Sequence, residues 1–327
     1  MSSHIRAADS PSPPSLNLFE EPADYRPSTP PPQTVRVPYD FTGSASSTSL
    51  SSSDPQSTSS DAQSTDLTIH LLGSHPLWGH HIWNASLDLS RYLQSHAASL
   101  LHGKSVLELG AAAGIPSIVA AREGAAVVVA SDYPEQPLID VLKRNLDENT
   151  AGSVSSGCVV AAQGYLWGAS VEPLQVHLPA GQDGYDLLLL SDLIFNHQAH
   201  DALLDTMNQA LSRQNARPSV LPPDTHPSRL QDDASHPDFP DKLPFGELTT
   251  AAPDGPCVLV FFTSHRPHLA HKDMEFFRKA EATGKWSVER VGRWKREPMF
   301  PTDPGSAFVR GTVHGFRLFR TGADVAR

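Results

Sequence analysis

The sequence predicts an α/β fold, with a mostly parallel sheet of seven strands, helices on both faces and one antiparallel edge strand. Two observations carry this. From residue 66 onward short apolar runs alternate with amphipathic stretches, the pattern of repeated βαβ units. The most apolar run, with four consecutive leucines in 185–190, is continuous rather than alternating, as in a strand covered by helices on both faces.

The elements follow in order. Residues 67–72 read as a strand, and 84–101 as a helix with Leu87, Leu89, Tyr92 and Leu93 on or near one face. A short buried strand at 105–109, a helix at 116–123 and a strand at 126–131 come next, followed by a helix at 137–149 and a strand at 158–162. The strand at 185–190 precedes a helix at about 199–212. Beyond a break, 257–263 is a strand, 272–283 a helix, and 286–294 and 313–319 are two last strands. These two are joined without a full helix, which predicts the antiparallel edge.

Two stretches lack the composition to build a core. Residues 1–65 are mostly low complexity, Pro-rich around 28–33 and Ser-rich from 43 to 65, and are expected to be disordered. Within them 16–25 combines Leu16, Leu18, Phe19 and Tyr25 with acidic residues, which makes it a candidate docking segment. The second stretch, about 214–256, holds nine prolines and reads as a disordered insertion. The folded domain then spans 66–321.

The formal charge of −11 over 327 residues, with no large Lys/Arg cluster, argues against nucleic acid as a partner and suits a basic peptide or protein. The two cysteines, Cys158 and Cys257, fall in apolar strand-like runs and read as reduced thiols. The N-terminus has no apolar signal region, and no apolar run approaches the ~18 residues that cross a bilayer. A cytoplasmic monomer without membrane attachment is expected.

Chemistry concentrates after the strands. Val106-Leu-Glu-Leu-Gly-Ala-Ala-Ala-Gly114 is a strand ending in a small-residue turn before Pro116 at a helix start, where backbone amides can approach a nucleotide-like ligand. The spacing fails the dinucleotide pattern G-x-G-x-x-G, since Ala112 and Ile115 stand at the second and third places. Glu108 is placed instead to meet a cationic amino group, such as the methionine end of S-adenosylmethionine. Asp132, at the tip of the next strand, is positioned for ribose hydroxyls, and Trp167 after the third strand for stacking on an adenine. Past the central strand, Ser191, Asp192, Phe195, Asn196 and His197 form a polar cluster that should line the site. For methyl transfer to an amine, Asp192 orients the nitrogen, Phe195 offers a cation–π contact and His197 accepts a proton. His197 and His200 have a spacing that can hold a metal, but no further ligand stands nearby and no metal is expected. Ser264-His-Arg-Pro267 follows a strand end and is a candidate substrate contact.

Ser74-His-Pro-Leu-Trp-Gly-His-His-Ile-Trp-Asn84, Glu108-Leu-Gly-Ala-Ala112, Ser131-Asp-Tyr-Pro134, Tyr165-Leu-Trp-Gly168 and Ser191-Asp-Leu-Ile-Phe-Asn-His197 resemble the fungal protein N-terminal and lysine methyltransferases that act on translation elongation factor 1-alpha. These belong to the Rossmann-like, seven-stranded class I methyltransferases and were earlier described as nicotinamide N-methyltransferases. Phe19-Glu-Glu-Pro-Ala-Asp-Tyr25 is similar to the family's N-terminus, and the likeness spans about 16–41 and 66–321. It implies methylation of the N-terminal glycine and adjacent lysine of elongation factor 1-alpha, with S-adenosylmethionine as cofactor. Carried over, the cofactor contacts are a tryptophan in 78–83, so Trp78 or Trp83, with Gly110, Ala111, Ala112, Asp132, Trp167 and Ser191. The wider group places an acid, two residues and an aromatic after the central strand; Asp192 and Phe195 fill those places, with Phe where Tyr is common. The Ser-rich tract and the Pro-rich insertion depart from the family. A small-molecule methyltransferase and a non-catalytic cofactor-binding scaffold are the competing readings, and the presence of both Glu108 and Asp132 speaks against the scaffold.

Overall fold

In the computed structural model the described residues are 30–41, 66–214, 245–248 and 255–321. Strands β3 (Ser105–Leu109), β4 (Val127–Asp132), β5 (Val159–Gly164), β6 (Leu187–Ser191) and β8 (Cys257–Thr263) run parallel in the order β5-β4-β3-β6-β8. The sheet continues through β10 (Thr312–Arg320) to β9 (Trp286–Lys295) and β7 (Gly246–Glu247). β10 is antiparallel to both of its neighbours, and β7 is an antiparallel edge on β9. The chain leaves β3 toward β4 on one side and returns to β6 on the other, so the strand order reverses between β3 and β6 at the carboxyl ends. Crevices for ligands open at such points.

The central strands are apolar on both faces because each face meets its own helical layer. Leu187, Leu189, Leu259 and Phe261 join one core with helix α1 (Asn84–Ser95), helix α3 (Ile115–Arg122) and helix α4 (Gln136–Thr150). Leu188, Leu190, Val258, Val260 and Phe262 join the other, with helix α6 (His200–Ala210) and helix α7 (Ala270–Ala282). Period-2 alternation therefore shows as which layer a residue enters, not as polarity. The helix expected over 84–101 divides at His96 into α1 and the short α2 (Ala97–Leu100). Two further short helices, α5 (Glu172–Gln175) and α8 (Ala307–Arg310), precede β6 and β10.

The expectation that 1–65 is mostly disordered meets an exception in its middle. Residues 30–41 are ordered, and β1 (Gln33–Val37) pairs antiparallel with β2 (Leu67–Leu71) in a separate two-stranded sheet. β-Branched residues carry it: Val37 is fully buried and Val35 packs on the α1 side of the core. Asn145 and Asn149 of α4 exchange hydrogen bonds of 2.8–3.0 Å with the backbone of His70 and Thr68, which occupies the β2 edge that no strand covers among the described residues. The docking segment 16–25 lies outside the described residues. Within the 214–256 stretch, Gly246 and Glu247 form β7, a second place where the expected disorder gives way to a strand.

Candidate active site

Four strand ends build two adjoining spaces. The first is a narrow cleft against the β3–α3 turn, bordered by Glu108, Gly110, Ala112, Ser191 and Trp83. The turn takes left-handed backbone at Gly110 (φ 61°), Ala112 (φ 48°) and Gly114 (φ 74°). Ala112 holds that costly conformation because its amide donates to Asp132 Oδ2 at 2.6 Å. The Ala111 amide donates to the Ser131 carbonyl at 2.9 Å and Ser131 Oγ to the Glu108 carbonyl at 2.8 Å, so the tips of β3 and β4 are locked together. A side chain at Gly110 would place its Cβ 2.5 Å from Leu193 Cδ2 and 3.2 Å from Trp167 Cζ2. Only glycine fits there, and Trp167 stands beside the turn.

Glu108 is buried, and its Oε2 accepts from the Ser117 amide at 3.0 Å and from Ser117 Oγ at 2.5 Å. Burial pushes its carboxyl up to about 8, against the pull of the two Ser117 bonds; the nearby Asp132 charge adds to the rise. Burial also raises Asp132, whose carboxylate accepts from the Ala112 and Tyr133 amides. At the tip of β6, Ser191 Oγ is buried with no hydrogen-bond partner among the described residues.

The second space is a cavity of about 230 Å³. Its aromatic walls are Trp78, Trp83, Phe195 and Phe300; the polar ones are His265, Arg266, Asp273 and Asp303. Phe300 meets Trp78 and Trp83 edge-on at centroid distances of 5.8 and 6.1 Å, and Trp83 lies 5.0 Å from the His265 ring. Trp83 borders both spaces, whereas Trp78 borders only the cavity and is 45% exposed at its rim.

Asp192 takes left-handed backbone (φ 51°) directly after β6 and is 4% exposed. Its Oδ1 accepts from the Thr263 amide at 2.8 Å and lies 3.5 Å from His265 Nε2. His265, not Asp192, forms the cavity wall.

Not every residue expected from the sequence reaches these spaces. Asn196 is exposed and heads the short turn His197–Ala199, off both walls. His197 does not face the cavity as a free proton acceptor, because its Nε2 is engaged by Asp273 Oδ1 at 2.7 Å. Asp273 also accepts from Ser264 Oγ at 2.7 Å, so His197 acts on the wall through this carboxylate. His200 Nε2 bonds the Ile194 carbonyl at 2.7 Å, and among the described residues no cluster of three or more His, Cys, Asp or Glu has metal-holding geometry. No helix among them is long and apolar enough to cross a membrane. Asp273, Phe300 and Asp303 were not singled out by the sequence: Asp273 reads as one acid on an amphipathic helix, and the other two come from the β9–β10 connection with no motif around them.

A family profile described as lysine methyltransferase matches residues 61–221. The protein N-terminal and lysine N-methyltransferase EFM7 of Cryptococcus neoformans is 45% identical over 78% of this chain and 76% of its own length. Its namesake in Schizosaccharomyces pombe is 35% identical over 93% and 94%, and that of Eremothecium gossypii 38% over 78% and 80%. With the strand order, the turn after β3 and relatives of this similarity over most of its length, the chain belongs to the protein N-terminal and lysine N-methyltransferase family.

Proposed function

We propose that this methyltransferase acts on elongation factor 1-alpha, at the α-amino group of its N-terminal glycine and at the adjacent lysine, as a cytoplasmic monomer. The observation that supports this most is the cavity of about 230 Å³, walled by four aromatic rings with two carboxylates among its polar residues, next to a cleft built for a nucleotide-like cofactor. Both acceptor groups are ammonium ions on a protein end. Aromatic faces and carboxylates attract such cations, and Trp83 borders the spaces for both acceptor and donor.

The methyl donor is S-adenosylmethionine, which when bound supplies an electrophilic methyl group on a sulfonium sulfur. The residues at the cleft fit it on two counts. Ser191 Oγ is a buried polar atom lacking a partner among the described residues, and Glu108 on the cleft wall, with Asp132 behind the turn, makes an acid pair suited to an ammonium and a ribose. Glu108 would hold the methionine ammonium, Asp132 the ribose hydroxyls, Ala111 and Ala112 the turn that approaches the ligand, and Trp167 one face of the adenine. On the acceptor side Phe195, Trp83 and Phe300 enclose the nitrogen, and Asp273 and Asp303 balance its charge. The enzyme's own contribution is orientation and exclusion of water.

The test is transfer of radiolabelled methyl to purified elongation factor 1-alpha, beside an N-terminally blocked form and nicotinamide. Label that falls on the factor and drops with the block supports the reading. Label on nicotinamide alone, or none on the factor, overturns it.

A further inference from the structure

We propose that His265 is the proton acceptor for the methyl-accepting amine, with Asp192 behind it as the carboxylate that stabilises the resulting imidazolium. The inference rests on the reading that the aromatic cavity takes an amine, and deepens it by assigning the base.

The placement follows from the sheet. β6 and β8 are parallel neighbours with Ser191 paired to Phe261, so Asp192 and Thr263 leave the sheet side by side. Asp192 is fixed at both ends: its amide donates to the Phe261 carbonyl at 2.8 Å, and its Oδ1 accepts from the Thr263 amide. The His265 amide donates to the Thr263 carbonyl at 3.0 Å. That tight turn brings the imidazole back over Asp192, with Nε2 3.5 Å from Oδ1 and His265 itself on the cavity wall.

His265 Nε2, Asp192 Oδ2 and Thr263 Oγ1 are all buried without a hydrogen-bond partner among the described residues. Three such atoms at two adjacent strand ends are costly in a finished fold, and a ligand carrying N–H donors would satisfy the Asp192 and Thr263 oxygens. His197 and His200, by contrast, are committed to Asp273 and to the Ile194 carbonyl. Of the other charged or titratable groups around His265, Asp273 and Asp303 line the same cavity, Arg266 follows it in the chain, and the His81 ring packs on Trp83 and Phe300. Three carboxylates and one guanidinium thus stand around the imidazole.

The step balances. One N–H bond of the substrate ammonium breaks, its proton passing to His265 Nδ1, the ring nitrogen not turned to Asp192, and its electron pair remaining on nitrogen. That pair forms the N–CH3 bond as the S–CH3 bond breaks, with its electrons returning to sulfur. The imidazolium then loses its proton to solvent.

Two measurements test this. In pH profiles of kcat/KM, His265→Gln is expected to lose at least tenfold near neutral pH, to recover as pH rises and frees the amine, and to be partly rescued by added imidazole. Retention of the wild-type profile and rate would overturn the assignment. Independently, histidine ring carbon signals are followed in the S-adenosylhomocysteine complex at pH 8, with the His265→Gln spectrum identifying the residue. Adding a peptide that begins Gly-Lys is expected to move the His265 signal to its protonated position, whereas an N-acetylated peptide with Gln for Lys leaves it in place. No movement with either peptide overturns the proposal. Failure of the wild type on elongation factor 1-alpha sinks only the substrate reading, because the profiles are then run on any free-amine peptide it methylates.

Discussion

Asp88 on α1 and Arg296 just past β9 lie 208 residues apart and form a two-pronged ion pair, with Arg296 Nε 3.1 and 3.0 Å from the two carboxylate oxygens. Asp88 is 1% exposed and also holds Arg91 at 3.3 Å, and Arg91 in turn donates to the Phe41 carbonyl. Asn84 of the same helix caps the Glu297 carbonyl at 2.9 Å. One carboxylate thus ties the β1 segment, α1 and the connection that carries Phe300 and Asp303 to the cavity.

Burial raises the Asp88 carboxyl, and the Arg296 and Arg91 guanidiniums pull it back, so removing either charge leaves the other poorly compensated. Asp88→Ala is expected to cost about 3 kcal/mol of stability and to raise KM for the acceptor several-fold, leaving cofactor affinity within about twofold. Urea unfolding and steady-state kinetics check this. A stability loss under about 0.5 kcal/mol with unchanged KM would show that the connection is held by other means.

Glu108 gives a pH dependence of unusual sign. Its carboxyl is raised to about 8 by burial, whereas in the unfolded chain it titrates near the ordinary 4.5. Between those values the folded state carries a proton that the unfolded state lacks, so this group lowers stability as pH rises from about 4.5 to 8. Glu108→Gln is therefore expected to flatten the fall in apo-protein Tm over that window. The cofactor's ammonium favours the carboxylate, so binding should release a proton near pH 7, visible by calorimetry in buffers of different ionisation enthalpy. The same substitution should remove that release and weaken binding roughly 30-fold, the equivalent of about 2 kcal/mol for a charged hydrogen bond. Unaltered affinity in Glu108→Gln would exclude the contact.

The cleft against the β3–α3 turn was legible because its signals are local. A strand, a small-residue turn and an acid at the next strand tip occupy Val106 to Asp132, and parallel pairing of β3 with β4 brings these together without further information. The aromatic cavity was only partly legible. Asp192 and Phe195 share one segment, but the imidazole over Asp192 comes from the end of β8 and Phe300 from the β9–β10 connection. Their meeting depends on tertiary packing, including the Asp88–Arg296 pair. β1 escaped for the same reason: its five residues sit between low-complexity stretches, and their partner β2 begins 30 residues after β1 ends.

That strand is testable as part of the fold. Val37 is fully buried, Phe41 is 6% exposed, and Tyr39 Oη donates to Glu123 at 2.7 Å. Burial raises the Tyr39 hydroxyl, which stays neutral and keeps that bond. Val37→Asp places an unpaired charge in this core and is expected to destabilise by about 3 kcal/mol or more, whereas Arg36→Ala on the same strand should change stability by less than about 0.5 kcal/mol. Equal effects from the two, read by thermal unfolding, would mean that the β1–β2 sheet is dispensable.

Trp78 and Trp83 are separated by what each touches. Trp83 borders the cleft at the β3–α3 turn and the aromatic cavity at once, the spaces proposed for cofactor and acceptor, while Trp78 is half-exposed at the cavity rim, edge-on to Phe300. Trp83→Ala should therefore weaken both partners, raising the S-adenosylmethionine Kd and the acceptor KM by about tenfold each, and should admit water to the transfer path. Trp78→Ala should raise only the acceptor KM, by about fivefold, as for one partly exposed cation–π contact of about 1 kcal/mol. Trp83→Phe keeps an aromatic wall and should recover most of the cofactor affinity. Calorimetric cofactor titrations beside acceptor kinetics separate the cases. A cofactor Kd that moves with Trp78 and not with Trp83 would reverse the assignment and place the donor on the exposed side of the His75–Trp83 segment.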